Sequence, residues 1–444
     1  VIRRVAAHFV LGLRAPWRSR LVAALLVLLA ATVLVLPAHL HSDGTPAGEL
    51  RMLLAWTLGP AMAILAAASL WAGCAAISPE VWDRRYSSAA VTPARPFEAW
   101  LGRWLGLVAI DAALLAAVLL GVGAQVAWRV PAAATAVRAR LAADPDAFEA
   151  EVRRVYRDIF PGGAPDGHEA GVLASIRRDL AGEAYLPVAP GRARAWGFLL
   201  PDPAPEEAEL RFQFMSSYGS LQGAKGALAV SADGRAVAEI PVTNDDPGFV
   251  SATLPASALR GARRLAVEFR NGESADGGAS VLLRQSDSLR VLVPAGGLAA
   301  NLLRAFLALL APLALLAALG AALGCAFSFP VAAFLATAVV TMALASGGTA
   351  FRDSFAGESH HHGEARVETR LDRATRRFSL GASAVLREST APIDRTEALD
   401  RLGDGIAVDA RAAFLALLLD GLALPLLLGL LGGLALRARC REMP

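Results

Sequence analysis

Six apolar stretches, at residues 20–40, 53–77, 104–128, 300–325, 330–350 and 412–436, constrain this chain more than any other feature. Each approaches or exceeds the ~20 residues that a helix needs to cross a hydrocarbon core of ~30 Å. Such a core offers no water to a backbone N–H or C=O, so a spanning segment has to satisfy its own hydrogen bonds as a helix. Pro60, Pro312 and Pro425 fall inside these stretches, where membrane helices tolerate them as kinks. The first stretch is too long for a cleavable leader, and no clear small-residue cleavage site follows it.

Arginine placement orients the spans. Arg3, Arg4, Arg14, Arg18 and Arg20 precede the first; Arg84, Arg85, Arg95 and Arg103 lie between the second and third; Arg437, Arg439 and Arg441 follow the last. The short connection at 39–51 carries only Arg51, and the turn at 326–330 is uncharged. Loops facing the cytoplasm are enriched in arginine and lysine, so both termini are expected there. Cys74, Cys325 and Cys440 then fall on the reducing side. Within residues 1–19, Val5, Phe9, Val10 and Leu13 against Arg3, Arg4 and Arg14 predict a helix lying on the inner leaflet.

At 55% hydrophobic with 19% charged residues, the composition implies a membrane part plus soluble parts. The net charge of +3 is no nucleic-acid signal. Two extracytoplasmic segments follow from the topology. Residues 129–297 are long enough for a domain, with helical spacing at 132–183 and a β-rich part at 194–294. Leu210, Phe212 and Phe214 alternate with polar residues, as do Leu265, Val267 and Phe269, and Leu289, Val291 and Val293. Asp233-Gly234 and Asn271-Gly272 punctuate them. Such short alternating runs predict an antiparallel β-sandwich or jelly roll. Residues 351–411 form the second, polar segment. The expected organisation is an interfacial helix at 1–19, spans at 20–128, 298–350 and 412–436 with a cytoplasmic tail to 444, and these two segments between them.

Few residues carry chemistry. Asp111 and Asp420 lie inside apolar stretches, where a charge costs roughly 3 kcal/mol on insertion scales, so each is expected to face the bundle interior, a partner or water. Arg304 is expected to snorkel from the outer end of its span. His360, His361 and His362 invite a metal reading. Adjacent histidines in an extended loop point apart, however, and a polar tip is the simpler reading. Glu206-Glu207-Ala-Glu-Leu-Arg211 matches the spacing of an intramembrane protease motif, but it precedes a soluble strand and is read as chance. No His-Glu-x-x-His or Gly-x-Ser-x-Gly run is present. A phosphate-binding loop needs Gly-Lys-Ser/Thr, and the only lysine, Lys225, sits in Gly223-Ala-Lys225-Gly226.

The stretch at 78–103, SPEVWDRRYSSAAVTPARPFEAWLGR, joins two spans with an acid, an arginine cluster and a proline turn. Its surroundings carry a resemblance. A charged N-terminal helix feeds the first span. The second ends in Ala-Ile-Ser-Pro-Glu80, and Arg84, Pro93 and Leu101-Gly-Arg-Trp-Leu-Gly106 lead into the third. The last ends in Leu436-Arg-Ala-Arg-Cys-Arg-Glu442. This looks like the membrane-spanning subunit of an ABC-2-type (type V exporter-like) ABC transporter. The resemblance covers the membrane parts only; the segment at 129–297 is a large insert by that standard.

The resemblance implies a permease in a bacterial cytoplasmic (inner) membrane, paired as a homodimer or with a second permease. It also implies a separate ABC ATPase that binds ATP–Mg, with no cofactor or catalysis in this chain. Glu80, Arg84, Arg85, Arg95 and Arg103 would then form the helix that receives force from the ATPase; the plainer reading is a solvated loop that only sets topology. A different class also fits: a membrane-anchored extracytoplasmic binding or scaffold protein without transport. A membrane enzyme is a third, less supported option.

Overall fold

The computed structural model describes residues 2–18, 20–40, 46–82, 96–131, 135–160, 169–181, 185–216, 225–243, 250–272, 280–285, 288–347 and 397–442. They form two compact units, Val1–Thr135 with Gly297–Pro444, and Ala136–Gly296.

The first unit is helical. It contains α1 (Ile2–Arg18), α2 (Leu21–Leu34), α3 (Leu36–His39), α4 (Pro46–Trp82) and α5 (Pro96–Arg129). After the second unit come α9 (Leu298–Ala326), α10 (Phe329–Gly347), α11 (Glu397–Gly403), α12 (Ala410–Leu418), a π-turn (Leu419–Ala423) and α13 (Leu424–Glu442). Among the described residues, five segments are long and apolar enough to cross a membrane: Leu21–His39, Gly48–Pro79, Pro96–Arg129, Leu298–Ala326 and Ala410–Arg437. The sequence predicts six. The remaining one is α10, whose apolar stretch Phe329–Met342 is shorter, although its 19 residues rise about 28 Å at 1.5 Å each. Residues 348–350 of that expected span lie outside the described residues.

Helix α9 is the bundle's axis. It packs against α4, α5, α10, α12 and α13, and small residues let it approach closely. A side chain at Gly320 would collide with the Leu70 carbonyl of α4, and one at Gly73 of α4 with the Ala317 carbonyl. Small-residue contacts of this kind are the usual means of packing helices in lipid, where apolar side chains gain little by leaving the solvent.

The second unit is mainly antiparallel sheet. Among the described residues, three sheets run in the orders β1-β11-β4-β8, β2-β10-β5 and β3-β9-β6-β7. The strands are β1 (Arg138–Arg140), β2 (Leu186–Val188), β3 (Ala193–Leu199), β4 (Glu207–Phe212), β5 (Met215–Ser216), β6 (Lys225–Ala232), β7 (Arg235–Thr243), β8 (Val250–Pro255), β9 (Arg264–Asn271), β10 (Val281–Leu283) and β11 (Leu289–Pro294). Helices α6 (Pro145–Ile159) and α7 (Glu169–Ala181) precede most of them, and the short α8 (Ala256–Leu259) follows β8. All three alternating runs point inward: Leu210, Phe212 and Phe214, Leu265, Val267 and Phe269, and Leu289, Val291 and Val293 share one core. Phe212 lies at its centre, 5.1 Å from Phe269, 5.5 Å from Phe214 and 6.1 Å from Trp196 between ring centroids. Asp233-Gly234 turns β6 into β7 with positive φ at both residues, as that hairpin turn requires. The Asp233 carboxylate also accepts the Arg263 and Arg264 N–H groups at 3.0 Å.

Expecting 132–183 to be helical throughout is corrected in part. Residues 138–140 are β1, which pairs antiparallel with β11. Ala295 N–H donates to the Val137 carbonyl at 2.8 Å, and Val137 N–H to the Gly296 carbonyl at 3.2 Å. The entering and leaving strands therefore lie side by side. The pairing also places Arg138 2.7 Å from the Glu209 carboxylate, a contact that a helical reading hides. After the two helices the strands resume at Leu186, ahead of the expected 194.

Helix α6 lies on β3, where Gly197 leaves room for Ala147, and a buried ion pair joins them. Glu151 lies 3.5 Å from Arg194 and 3.7 Å from Arg154. Burial pushes the Glu151 carboxyl above its ordinary value, outweighing the lowering by Arg194 and Arg154; burial also lowers Arg194. The excised segment Ala136–Gly296 is expected to melt cooperatively with a β-rich circular dichroism spectrum, because its core and its paired ends are self-contained; a disordered spectrum counts against this. A carboxyl raised in the folded state holds its proton more tightly there. Its contribution to stability therefore grows as pH falls from neutrality through the folded value, and is complete below the ordinary 4.5. Glu151→Gln lacks that component. The melting-temperature difference should move in favour of wild type as pH falls from neutrality towards 4.5, and a constant difference contradicts the assignment.

Candidate functional site

Several chain segments meet at one end of the helical unit: α1, the end of α4, the start of α5, the α9–α10 turn and α13. The C-terminal turn of α4 and the first turns of α5 flank residues 83–95, which lie outside the described residues. Around them Ile77, Trp100, Trp104, Leu107, Cys325 and Leu436 form one apolar cluster. Phe97, Trp100 and Trp104 stack in a row, with centroids 6.2 and 5.7 Å apart. Gly429 of α13 makes room for the Trp100 ring, which a Cβ there would enter.

Three polar side chains tie this cluster together through backbone carbonyls, while the buried Trp100 Nε1 has no hydrogen-bond partner among the described residues. Arg103 Nη1 donates to the Ala76 carbonyl of α4 at 2.7 Å. Ser78 Oγ donates to the Phe327 carbonyl of the α9–α10 turn at 2.9 Å. Trp104 Nε1 donates to the Ala314 carbonyl of α9 at 2.9 Å. Pro79, in the last turn of α4, has no N–H for the carbonyl of Ala75, which adjoins the Ala76 carbonyl that Arg103 reaches.

Helix α1 docks on α5 through glycines. A Cβ at Gly102 would fall 2.5 Å from His8 Cβ and 2.6 Å from the Val5 carbonyl; one at Gly106 would fall 2.9 Å from the Phe9 carbonyl. From the other side, one at Gly12 would fall 2.9 Å from the Arg103 carbonyl. Arg4 adds a 3.8 Å ion pair to buried Glu98. Gly102 and Gly106 stand four apart, the small-xxx-small spacing that lets backbones meet. That spacing was visible in Leu101-Gly-Arg-Trp-Leu-Gly106, but its packing role was not read from it.

The expected force-receiving residues divide accordingly. Glu80 lies in the last turn of α4, but its side chain is outside the described residues, as are Arg84, Arg85 and Arg95. Arg103 is corrected: it is 7% exposed and bonded inside the bundle, because its position on α5 faces α4 rather than water. Of the intramembrane polar residues, Asp111 is buried on α5 near Ser69 of α4, whose hydroxyl donates to the Leu65 carbonyl at 2.7 Å. Asp420 is buried in the π-turn, which ends ahead of Pro425, a residue with no N–H to continue the ladder. Arg304 is half-buried on α9. His360, His361 and His362 lie outside the described residues. No group of three or more His, Cys, Asp or Glu is placed to hold a metal among the described residues.

At the opposite end, sequence reasoning overlooked two further ties. Asn301 of α9 is 1% exposed; its amide donates to the Ile406 carbonyl at 3.1 Å and accepts from Val408 N–H at 2.8 Å. Gln125 of α5 donates to the Val33 carbonyl, the one that Pro37 leaves without a helical donor.

Gly102→Val is expected to force α1 off α5. Overpacking of this kind costs about 1–3 kcal/mol. Limited proteolysis in a mild detergent should cleave within residues 1–20 of the variant and spare wild type, with the melting of the second unit unchanged. Equal protection of both proteins contradicts the close contact.

The chain matches no family model, no curated protein and no solved structure.

Proposed function

We propose that this chain is the membrane-spanning permease subunit of an ABC exporter-type system, driven by a separate ATPase that binds ATP–Mg. The observation that carries this is the meeting of α1, α4, α5, α9, α10 and α13 at the end that flanks residues 83–95. Arg84 and Arg85 lie in that stretch. A partner pushing there acts on the ends of α4 and α5 directly. Through Arg103, Ser78 and Trp104 the displacement reaches the α4 backbone, the α9–α10 turn and the middle of α9. Through Gly102 and Gly106 it reaches α1.

In this reading α10 is the fifth of six spans, and both termini and residues 83–95 are cytoplasmic. The second unit is a periplasmic sandwich of jelly-roll type. The subunit works with a second permease, identical or related, in a bacterial inner membrane. Asp111 and Asp420 face protein rather than lipid, in keeping with the cost of exposing an acid to hydrocarbon.

A second reading has one observation in its favour. Between α6, α7 and β3 lies a cavity of about 270 Å³ lined by Phe148, Leu180, Trp196 and Phe198, with Arg140 and Asp144 at its wall. Small-molecule sites have this mixture of apolar lining and few polar groups. It suits a membrane-anchored binding protein as well as a transporter with a periplasmic receptor domain.

Reversing Arg84 and Arg85 together to Glu separates the two readings. Single surface charges contribute only ~0–1 kcal/mol, so the double reversal is the informative variant. It should lose co-purification with the ATPase, or uncouple hydrolysis from transport, while reporter fusions show unchanged topology. A correctly oriented variant that retains a stimulated ATPase removes the coupling assignment, and a wild type that never binds one favours the binding protein.

A further inference from the structure

The apolar stripe of α1 is wider than its seat on α5 requires. Val5, His8, Phe9 and Gly12 meet the α5 backbone or its glycines, and Pro16 is buried. Next to that seat, Ile2, Ala6, Val10 and Trp17 continue the stripe at helical spacing and stay exposed, Ile2 at 85% and Trp17 at 58%. Beyond them on the helix surface run Arg3, Arg14 and Arg18, all exposed. Arg20 follows at the N-cap of α2, in a left-handed conformation with φ of 59°.

The charge on this surface is one-sided. The first 42 residues contain no Asp or Glu. Arg4 is engaged by Glu98, whereas Arg3, Arg14, Arg18 and Arg20 have no ion-pair partner among the described residues. α2, the span that follows directly, is the most hydropathic of the five, at 2.8. A helix with this cross-section sits with its uncovered apolar strip at the acyl boundary and its arginines level with the phosphates. Tryptophan is enriched at that depth, and a guanidinium meets phosphate oxygens in a fork that an ammonium cannot make.

We propose that the row Arg3–Arg14–Arg18, with Arg20, binds the headgroups of anionic phospholipids in the leaflet that α1 lies on. This rests on the membrane reading above and adds lipid selectivity to it. Anionic lipid would hold α1 at the interface on the side opposite its glycine seat, so lipid composition would bear on the same end of the bundle that residues 83–95 flank.

The test uses the full chain. Wild type is first inserted into phosphatidylcholine vesicles, then carried in detergent with equal phosphatidylglycerol and phosphatidylcholine, and its retained lipids are weighed by native mass spectrometry. Wild type should retain phosphatidylglycerol preferentially, and added salt should weaken the preference. Replacing Arg3, Arg14 and Arg18 together by Gln should lower it about a hundredfold, the size of change expected when three basic residues leave an anionic surface. The corresponding triple Lys variant, which keeps the charge, should retain most of it, and proteolytic protection of α1 should be unchanged in both. A Gln variant with full preference overturns the proposal. A wild type that inserts but shows no preference overturns it and leaves the membrane reading standing, whereas one that fails to insert overturns both.

Discussion

A polar group buried among apolar helices is stabilised by a partner there, and much of the helical unit is organised by that need, with Trp100 Nε1 an exception among the described residues. Leaving a buried donor or acceptor unsatisfied costs about 1–3 kcal/mol. In this chain the partners are chiefly backbone carbonyls of neighbouring helices. Arg103, Ser78 and Trp104 close one end, and Asn301 and Gln125 the other. Prolines and side-chain donors work together. Pro37 removes a helical donor from Val33, and Gln125 supplies another. Between these ends Leu and Val fill much of the interior, while Gly73, Gly320 and Ala317 bring the α4 and α9 backbones close, so a displacement of one helix is felt by the next.

The second unit follows a different logic. Its core is built from alternating strands and an aromatic centre, and its charges lie mostly at the seams: Arg138 on Glu209, Arg264 on Asp144, Arg194 on Glu151. Because β1 pairs with β11, the chain enters and leaves it at neighbouring points. A unit with adjacent ends can be inserted into a connection between two helices without separating them. This is the physical reason that so large a segment is compatible with the helices on either side of it.

Much of this was legible in the sequence. Hydropathy located the five helices that are long and apolar enough to cross a membrane, since length and apolarity are all that a bilayer asks of a span. Period-two alternation at Leu210–Phe214, Leu265–Phe269 and Leu289–Val293 identified the inward faces of three strands. What escaped were pairings between residues distant in sequence. Nothing local marks Arg138–Arg140 as the partner of a strand some 150 residues later, and β1 was read as helix. Arg103 was counted with the arginines that orient the spans and, on the resemblance, with the force-receiving residues, yet the register of α5 turns it inward, and the hydrogen-bonding carbonyl lies on another helix. Gly102 and Gly106 were conspicuous as letters, but what they accommodate became apparent only with α1 laid across them.

The central structural claim is that α1 belongs to the bundle end and is not a loose tail ahead of the first span. Hydrogen exchange on the full chain in lipid nanodiscs tests it directly. Both α1 and the first turns of α5 have intrahelical bonds, so exchange reports whether the helices open together. The account predicts slow exchange across residues 2–18, matching residues 96–110 of α5. Fast exchange of residues 2–18 beside a protected α5 would contradict it.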